Sequence, residues 1–153
     1  MQTLYYSQKL PLSLEECWNF FSCPKNLKII TPEHLGFEIL NDQNPSIYAG
    51  QIIHYKIKPI WNLPMEWVTE ITHIQKPNYF IDEQRIGPYK LWHHEHRFEP
   101  IHGGVAMDDI VYYQLFYGWV GRGFNSLFVR KAVEAIFKYR KEKLESLFGS
   151  YHE

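Results

Sequence analysis

Apolar and polar positions change rhythm twice along the chain. Thr3–Leu10 reads as an opening strand. Ser13-Leu-Glu-Glu16 then has the capping-box pattern: the Ser13 hydroxyl can accept from the free amide at the third helical position while Glu16 reaches back. A short helix is therefore expected from about Leu14 to Ser22, ended by Pro24, and a second from Lys25 to Ile30, stopped by Thr31-Pro32. From there the period becomes two. Gly36–Leu40, Gln51–Lys58, Met65–Ile74, Asn78–Ile86, Lys90–Glu99 and Val105–Phe116 are rich in Ile, Val, Tyr, Phe and Trp. Each is bounded by turn residues such as Asn44-Pro45, Gly87-Pro88 and Gly103-Gly104. Short connections between successive strands imply an antiparallel meander.

The rhythm changes again near the end. Phe124, Phe128, Ala132, Ala135 and Ile136 recur at helical spacing, and Val129, Val133, Phe137, Leu144 and Leu147 extend the stripe. Glu134/Lys138 and Lys141/Glu145 are candidate surface pairs, and Gly149 fits the C-terminal cap. Some 25 residues rising 1.5 Å each would span roughly 37 Å, enough to cross a whole sheet. The expected order is strand, two short helices, six strands and one long helix, in a single α+β domain over residues 1–153.

Charge decides which face of each strand is inside, because an unpaired charge is costly to bury. On Lys90–Glu99 one parity carries Glu95 and Arg97, so Trp92, His94, His96 and Phe98 are expected inward. The same test turns Phe80, Asp82, Gln84 and Ile86 inward on the preceding strand, and Met107, Asp109, Val111, Tyr113 and Leu115 on the following one. Met65, Trp67, Thr69 and Ile71 face in, as do Ile53, Tyr55 and Ile57. A tight turn at Gly87-Pro88 places Asp82 opposite His94, and a turn near His102-Gly103 places Asp109 near His96, all on that inner face. Two carboxylate–imidazole pairs are expected: Asp82 with His94, and Asp109 with His96.

Composition narrows the classes. Aromatic residues make up 17% of the chain, a ring content that calls for a tight fold or for a fold built around something. A formal net charge of −1 gives no electrostatic reason to bind nucleic acid. Cys17 and Cys23 form no disulfide framework and are expected as reduced, mostly buried thiols. Met1–Leu10 lacks the pattern of a signal peptide, and the richest apolar stretch, Ile110 to Gly121, is too short to span a bilayer. A soluble, cytoplasmic protein is expected.

The histidines raise two chemistries. His94 and His96 share a face, and Asp109 could complete a His/His/carboxylate metal site; no second ligand cluster supports it, so no metal and no cofactor is expected. A His–Asp pair in a partly dry pocket could instead act as general acid/base, with His94, His96, Asp82 and Asp109 as candidates and Tyr113 or Gln84 orienting an oxygen. Neither cysteine has an obvious base, and Gly118-x-x-Gly121-x-Gly123 follows no dinucleotide-type unit. Tyr117, Trp119, Val120 and Phe124 cluster at the last strand-to-helix junction, either as a packing anchor or as an edge of a pocket mouth; Trp61, Leu63 and Pro64 in a hairpin loop leave the same choice.

Through Asp82-Glu-Gln-x-x-Gly87-Pro-Tyr-x-x-Trp92-His-His-Glu-His96-x-Phe98 the chain resembles the SRPBCC ligand-binding proteins, the START and polyketide cyclase/dehydrase superfamily. Thr31-Pro32-x-x-Leu35-Gly-Phe37, Ala49-Gly50-x-x-Ile53-x-Tyr55, Asp109-x-Val111-x-Tyr113 and the C-terminal Phe128-Val-Arg130 and Ile136-Phe-x-Tyr139-Arg140 extend the likeness over nearly the whole chain. The resemblance implies a helix-grip: a curved, seven-stranded antiparallel sheet with two short helices, closed over a long C-terminal helix. It also implies a cavity between sheet and helix for an apolar or amphipathic molecule, and the expected function is non-covalent binding of a small hydrophobic or aromatic molecule, lipid- or polyketide-like. Trp67, Trp92, Tyr55 and Tyr113 would be its walls, and His94, His96, Asp82, Gln84 and Asp109 its polar contacts. Thr69, Met107, Val111, Phe128 and Ala132 complete the expected lining. The alternatives are a cyclase or dehydratase using a His–Asp pair, and a structural or interaction module whose cavity is filled by its own rings.

Overall fold

The structure is a computed structural model that describes residues 1–41, 44–58, 63–116 and 124–152. The chain opens with strand β1 (Gln2–Leu10), followed by helices α1 (Leu14–Phe21) and α2 (Pro24–Leu27) and a single 3-10 turn at Glu33–Leu35. Strands β2 (Glu38–Ile39), β3 (Ile52–Ile57), β4 (Met65–Gln75), β5 (Tyr79–Ile86), β6 (Tyr89–Ile101) and β7 (Gly104–Leu115) come next, and helix α3 (Phe124–Phe148) closes the fold. The expected capping box is formed: Ser13 Oγ accepts from the Glu16 amide, and the Ser13 amide donates to the Glu16 carboxylate. The second helix is shorter than expected, and the chain to Thr31 is finished by separate turns rather than by one helix.

The seven strands make one antiparallel sheet in the order β1-β7-β6-β5-β4-β3-β2. Consecutive strands pair from β2 to β7, and β1 returns beside β7 so that Tyr6 faces Asp109 and Leu4 faces Val111. That return brings backbones close: a Cβ on Gly104 would sit 2.2 Å from the Leu10 carbonyl oxygen. Register shifts between Val68 and Thr69, between Ile71 and His73, and between Tyr89 and Leu91 mark bulges, which bend and twist the strands that carry them.

The inward parities hold with one exception. His94, His96, Phe98, Met107, Asp109, Val111 and Tyr113 are all buried on one face. Ile86 is 56% exposed instead of inward. Thr69 pairs with Gln84 but Val68 pairs with Ile86, so Arg85 is an extra residue on β5 and the residue after it switches faces. On α3 the buried positions are Val129, Val133, Phe137, Arg140 and Leu144, while Phe128 and Leu147 are exposed. Arg130, rather than Lys138, bonds Glu134, and Lys138 approaches Glu142.

Among the described residues the apolar interior falls into three clusters, and their composition explains where space is left. At one end α1 and Leu144 of α3 pack on Phe80, Phe98, Val105 and Met107. Along one edge Val129, Val133 and Phe137 of α3 pack on Leu4, Val111 and Tyr113 of β1 and β7. The third cluster, Phe37, Ile53, Tyr55, Ile57, Trp67 and Ile71, belongs to β3, β4 and the segment before β2, with no buried α3 residue in it. The helix thus lies on the β1–β7 side and stands off the β3–β4 side.

Candidate functional site

Between those clusters are two adjoining chambers. The inner one, about 180 Å³, is walled by β3, β4, β5 and β6 below, α1 and α2 at one end and α3 above. The outer one, about 760 Å³, lies between the Pro32–Leu35 turn, the Pro88-Tyr89 turn, the end of β7 and the first half of α3. Leu35, Tyr89, Val133 and Ile136 line both and so form the wall the two chambers share. Phe116 and Phe128, both largely exposed, stand at the outer wall.

The inner walls are mostly rings, and Trp67, Tyr55 and Thr69 bond one another. Trp67 packs edge-on to Trp92 at 5.4 Å between centroids, and Tyr89 contacts both. Trp67 Nε1 donates to Thr69 Oγ1 at 3.0 Å, and the Tyr55 and Thr69 hydroxyls share a 2.7 Å hydrogen bond. Burial then keeps the Tyr55 phenol neutral.

Polarity is concentrated on β5, β6 and β7. Asp82 is opposite His94 in register, and Asp109 is opposite His96, as expected. The hydrogen bonds run the other way. His94 Nε2 bonds Asp109 Oδ1 at 2.8 Å, and His96 Nε2 bonds Asp82 Oδ2 at 2.9 Å. Side chains on a strand lean along it, which lets each ring reach the diagonal carboxylate across the neighbouring strand. The expected pairs survive as charge contacts: His94 Nδ1 is 3.5 Å from Asp82 Oδ2, and His96 Nδ1 is 2.9 Å from Asp109 Oδ1 without a hydrogen-bond angle. Phe80, opposite His96 in register, stacks on that ring at 4.2 Å.

The two rings titrate in opposite directions. Burial, reinforced by the neighbouring His96, pushes His94 below the ordinary imidazole range despite its carboxylates. Burial also acts to lower His96, but its contacts to Asp109 and Asp82 outweigh that and raise it. Burial acts to raise both carboxylates; the imidazoles overcome it and hold Asp82 and Asp109 below the usual range. Arg140 Nη1 lies 3.7 Å from Asp109 Oδ2. In the pH range between the lowered His94 and the raised His96 transitions, two carboxylates face two cations, His96 and Arg140.

The expected site residues divide accordingly. Tyr55, Trp67, Thr69, Asp82, Trp92, His94 and His96 line the inner chamber, and Phe128 and Ala132 line the outer one. Gln84 does not: its Nε2 donates to the Tyr89 carbonyl at 2.6 Å and its Oε1 accepts from the Tyr89 amide at 3.2 Å, so it is consumed in closing the β5–β6 turn. Val111 and Tyr113 are fully packed against α3, and the Tyr113 hydroxyl donates to the Gln2 side chain. Met107 sits in the packed end cluster, and Asp109 lies behind the imidazoles, facing a separate pocket of about 240 Å³ beside β1. Cys17 is buried and unpaired, its thiol pushed up to about 12 by burial, and Cys23 is half-buried. Trp61, Tyr117, Trp119 and Val120 lie outside the described residues, as does the Phe124 side chain.

Arg140 is not among the expected site residues, yet it lines the inner chamber and is 7% exposed. Its signal is positional: Val133, Phe137, Arg140 and Leu144 share one helical stripe, and a charge on a buried stripe needs a partner. A metal fit is also geometrically open. Ligand atoms of Asp82, His94 and His96 lie within 4.8 Å of one another, so Asp82, not Asp109, would be the third donor. Both Nε2 atoms are engaged by carboxylates, and an ion would have to break those bonds.

No protein-family model matches the chain, and no curated protein matches it in sequence. Solved structures do match it in fold. Protein CV1439 from Chromobacterium violaceum superposes with a TM-score of 0.74 at 10% identity, over 97% of this chain and 98% of that one. Ginseng major latex-like protein 151 from Panax ginseng gives 0.69 at 11% identity, over 96% and 97%. TTHA0849 from Thermus thermophilus gives 0.63 at 14% identity, over 95% and 99%. The chain therefore has the helix-grip architecture from end to end, shared with bacterial and plant proteins of very different sequence.

Proposed function

We propose that this protein is an SRPBCC-type ligand-binding protein that binds a small hydrophobic or aromatic molecule, without covalent chemistry, between its sheet and α3. The observation that supports this reading most is the stand-off of α3 from the β3–β4 cluster, which leaves ring-lined space where a filled core would have packed side chains. The outer chamber, about 760 Å³, lies within the roughly 300–1,000 Å³ typical of small-molecule sites. Rings supply contact area to a ligand at little entropic cost, and the buried polar groups at one end would orient it. Among the described residues no helix is long and apolar enough to cross a membrane.

A second reading, a cyclase or dehydratase, is favoured by one feature: His94 and His96 stand on the chamber wall beside carboxylates that tune them. Against it, Tyr113 and Gln84, the groups expected to orient a substrate oxygen, are both committed elsewhere. Native mass spectrometry of protein purified from its own host tests the binding reading. A discrete co-purifying mass that organic solvent extracts supports it. Loss of that mass with chemical conversion of the released molecule, abolished by His94→Ala or His96→Ala, would favour the enzyme instead. A chain that carries nothing and takes up no hydrophobic probe is a self-filled module.

A further inference from the structure

Arg140 stands on the buried stripe of α3, and its guanidinium carbon lies 4.9 Å from the centre of the Phe137 ring. One face of the group is thereby covered. Its Nη1 is 3.7 Å from Asp109 Oδ2, beyond hydrogen-bond length, and Nε and Nη1 are both shut off from solvent without any hydrogen-bond partner. A guanidinium does not lose its proton, so this group cannot relieve its burial by becoming neutral. Donors left in that state carry a desolvation cost that an incoming acceptor would remove.

The surroundings say what kind of acceptor fits. Arg140 lines the same inner chamber as Trp67, Tyr55 and Thr69, whose side-chain polar atoms bond one another. Asp82 and Asp109 are occupied by the two imidazoles. The chamber thus offers mostly apolar walls, with the Arg140 guanidinium, unsatisfied at Nε and Nη1, among its lining residues and also on the pocket of about 240 Å³ beside β1.

We propose that Arg140 anchors the polar end of the ligand, a carbonyl or carboxylate oxygen on an otherwise apolar body. This assignment rests on the cavity being a ligand site and specifies the ligand's chemistry. An amine-headed molecule of the same length meets a fixed positive charge there and is rejected.

The test uses the full chain and the neutral fluorescent probe N-phenyl-1-naphthylamine, displaced by dodecanoate, methyl dodecanoate or dodecylamine below their micelle or solubility limits. The acid or the ester should displace the probe at a concentration about tenfold or more below that of the amine, the factor of one hydrogen bond to a charged group. Whichever of the two is stronger tells an acid from a neutral carbonyl. Arg140→Met should lose the preference between the acid or ester and the amine, whatever its own affinity for the probe. Should that variant fail to bind the probe, the wild-type Arg140 Nε–H resonance, assigned by its absence in Arg140→Lys, decides: it should shift with the acid or ester and stay put with the amine. Equal displacement by all three, a preference that survives in Arg140→Met, or an unmoved resonance overturns the assignment. Absence of probe uptake by the wild type overturns the cavity reading along with it, whereas uptake without head-group preference overturns the Arg140 assignment alone.

Discussion

The imidazoles of His94 and His96 lie with centroids 3.8 Å apart and planes 40° to each other, held between Asp109 and Asp82. Two rings so close cannot both carry a proton easily, since each positive charge raises the cost of the other. NMR of the imidazole nitrogens as a function of pH should show one ring, His96, titrating above the ordinary 6.5 and the other, His94, below it. Two rings titrating together near 6.5 would mean that the cluster is open to water.

The same shifts set the pH profile of stability. His96, raised on folding, contributes stability that is complete below 6.5 and is lost as pH rises through its folded value. His94, Asp82 and Asp109 are depressed, so their contributions fade as pH falls below 6.5 for the histidine and below about 3.8 for the acids. Thermal unfolding followed by circular dichroism should therefore give a dome with its summit near 6.5. His96→Gln should flatten the alkaline limb and also weaken the acid limb, because His96 helps to depress His94, Asp82 and Asp109.

Asp109 and Asp82 are not equivalent. Asp109 serves both imidazoles and is the carboxylate near Arg140. Asp109→Asn removes that charge and strands a buried cation, which should cost about 3–5 kcal/mol in urea unfolding. Asp82, with 15% of its side chain exposed, should cost less on Asp82→Asn, because water can reach the site it vacates. The reverse ranking would move the centre of the cluster to the β5 side.

Much of this architecture is legible in the amino-acid order, and the reasons are local. The capping box at Ser13 and the charged parity of Glu95 and Arg97 fix a helix start and an inner face by chemistry that acts within a few residues. What escapes is set by geometry that one segment does not carry. The extra residue at Arg85 that turns Ile86 outward depends on the partner strand. The crossing of the His–Asp bonds depends on how side chains lean, which registration alone leaves open. Gln84 has the look of a cavity amide, yet a turn with two free backbone groups claims it first. Arg140 is hidden by its type: charge suggests solvent, while its place between Phe137 and Leu144 on the stripe means burial.

Ile136 lines both chambers and stands at their junction, so it gives the most direct access to the central claim. Ile136→Trp would fill space beside the wall the chambers share and, being half-buried, should cost no more than about 1–3 kcal/mol of stability. Titration of the wild type with N-phenyl-1-naphthylamine should saturate at one probe per chain, and the Trp variant, still folded, should bind about tenfold more weakly or worse. Unsaturable uptake by the wild type, or equal one-to-one binding by a folded Ile136→Trp chain, would place the probe elsewhere and contradict a ligand site between the sheet and α3.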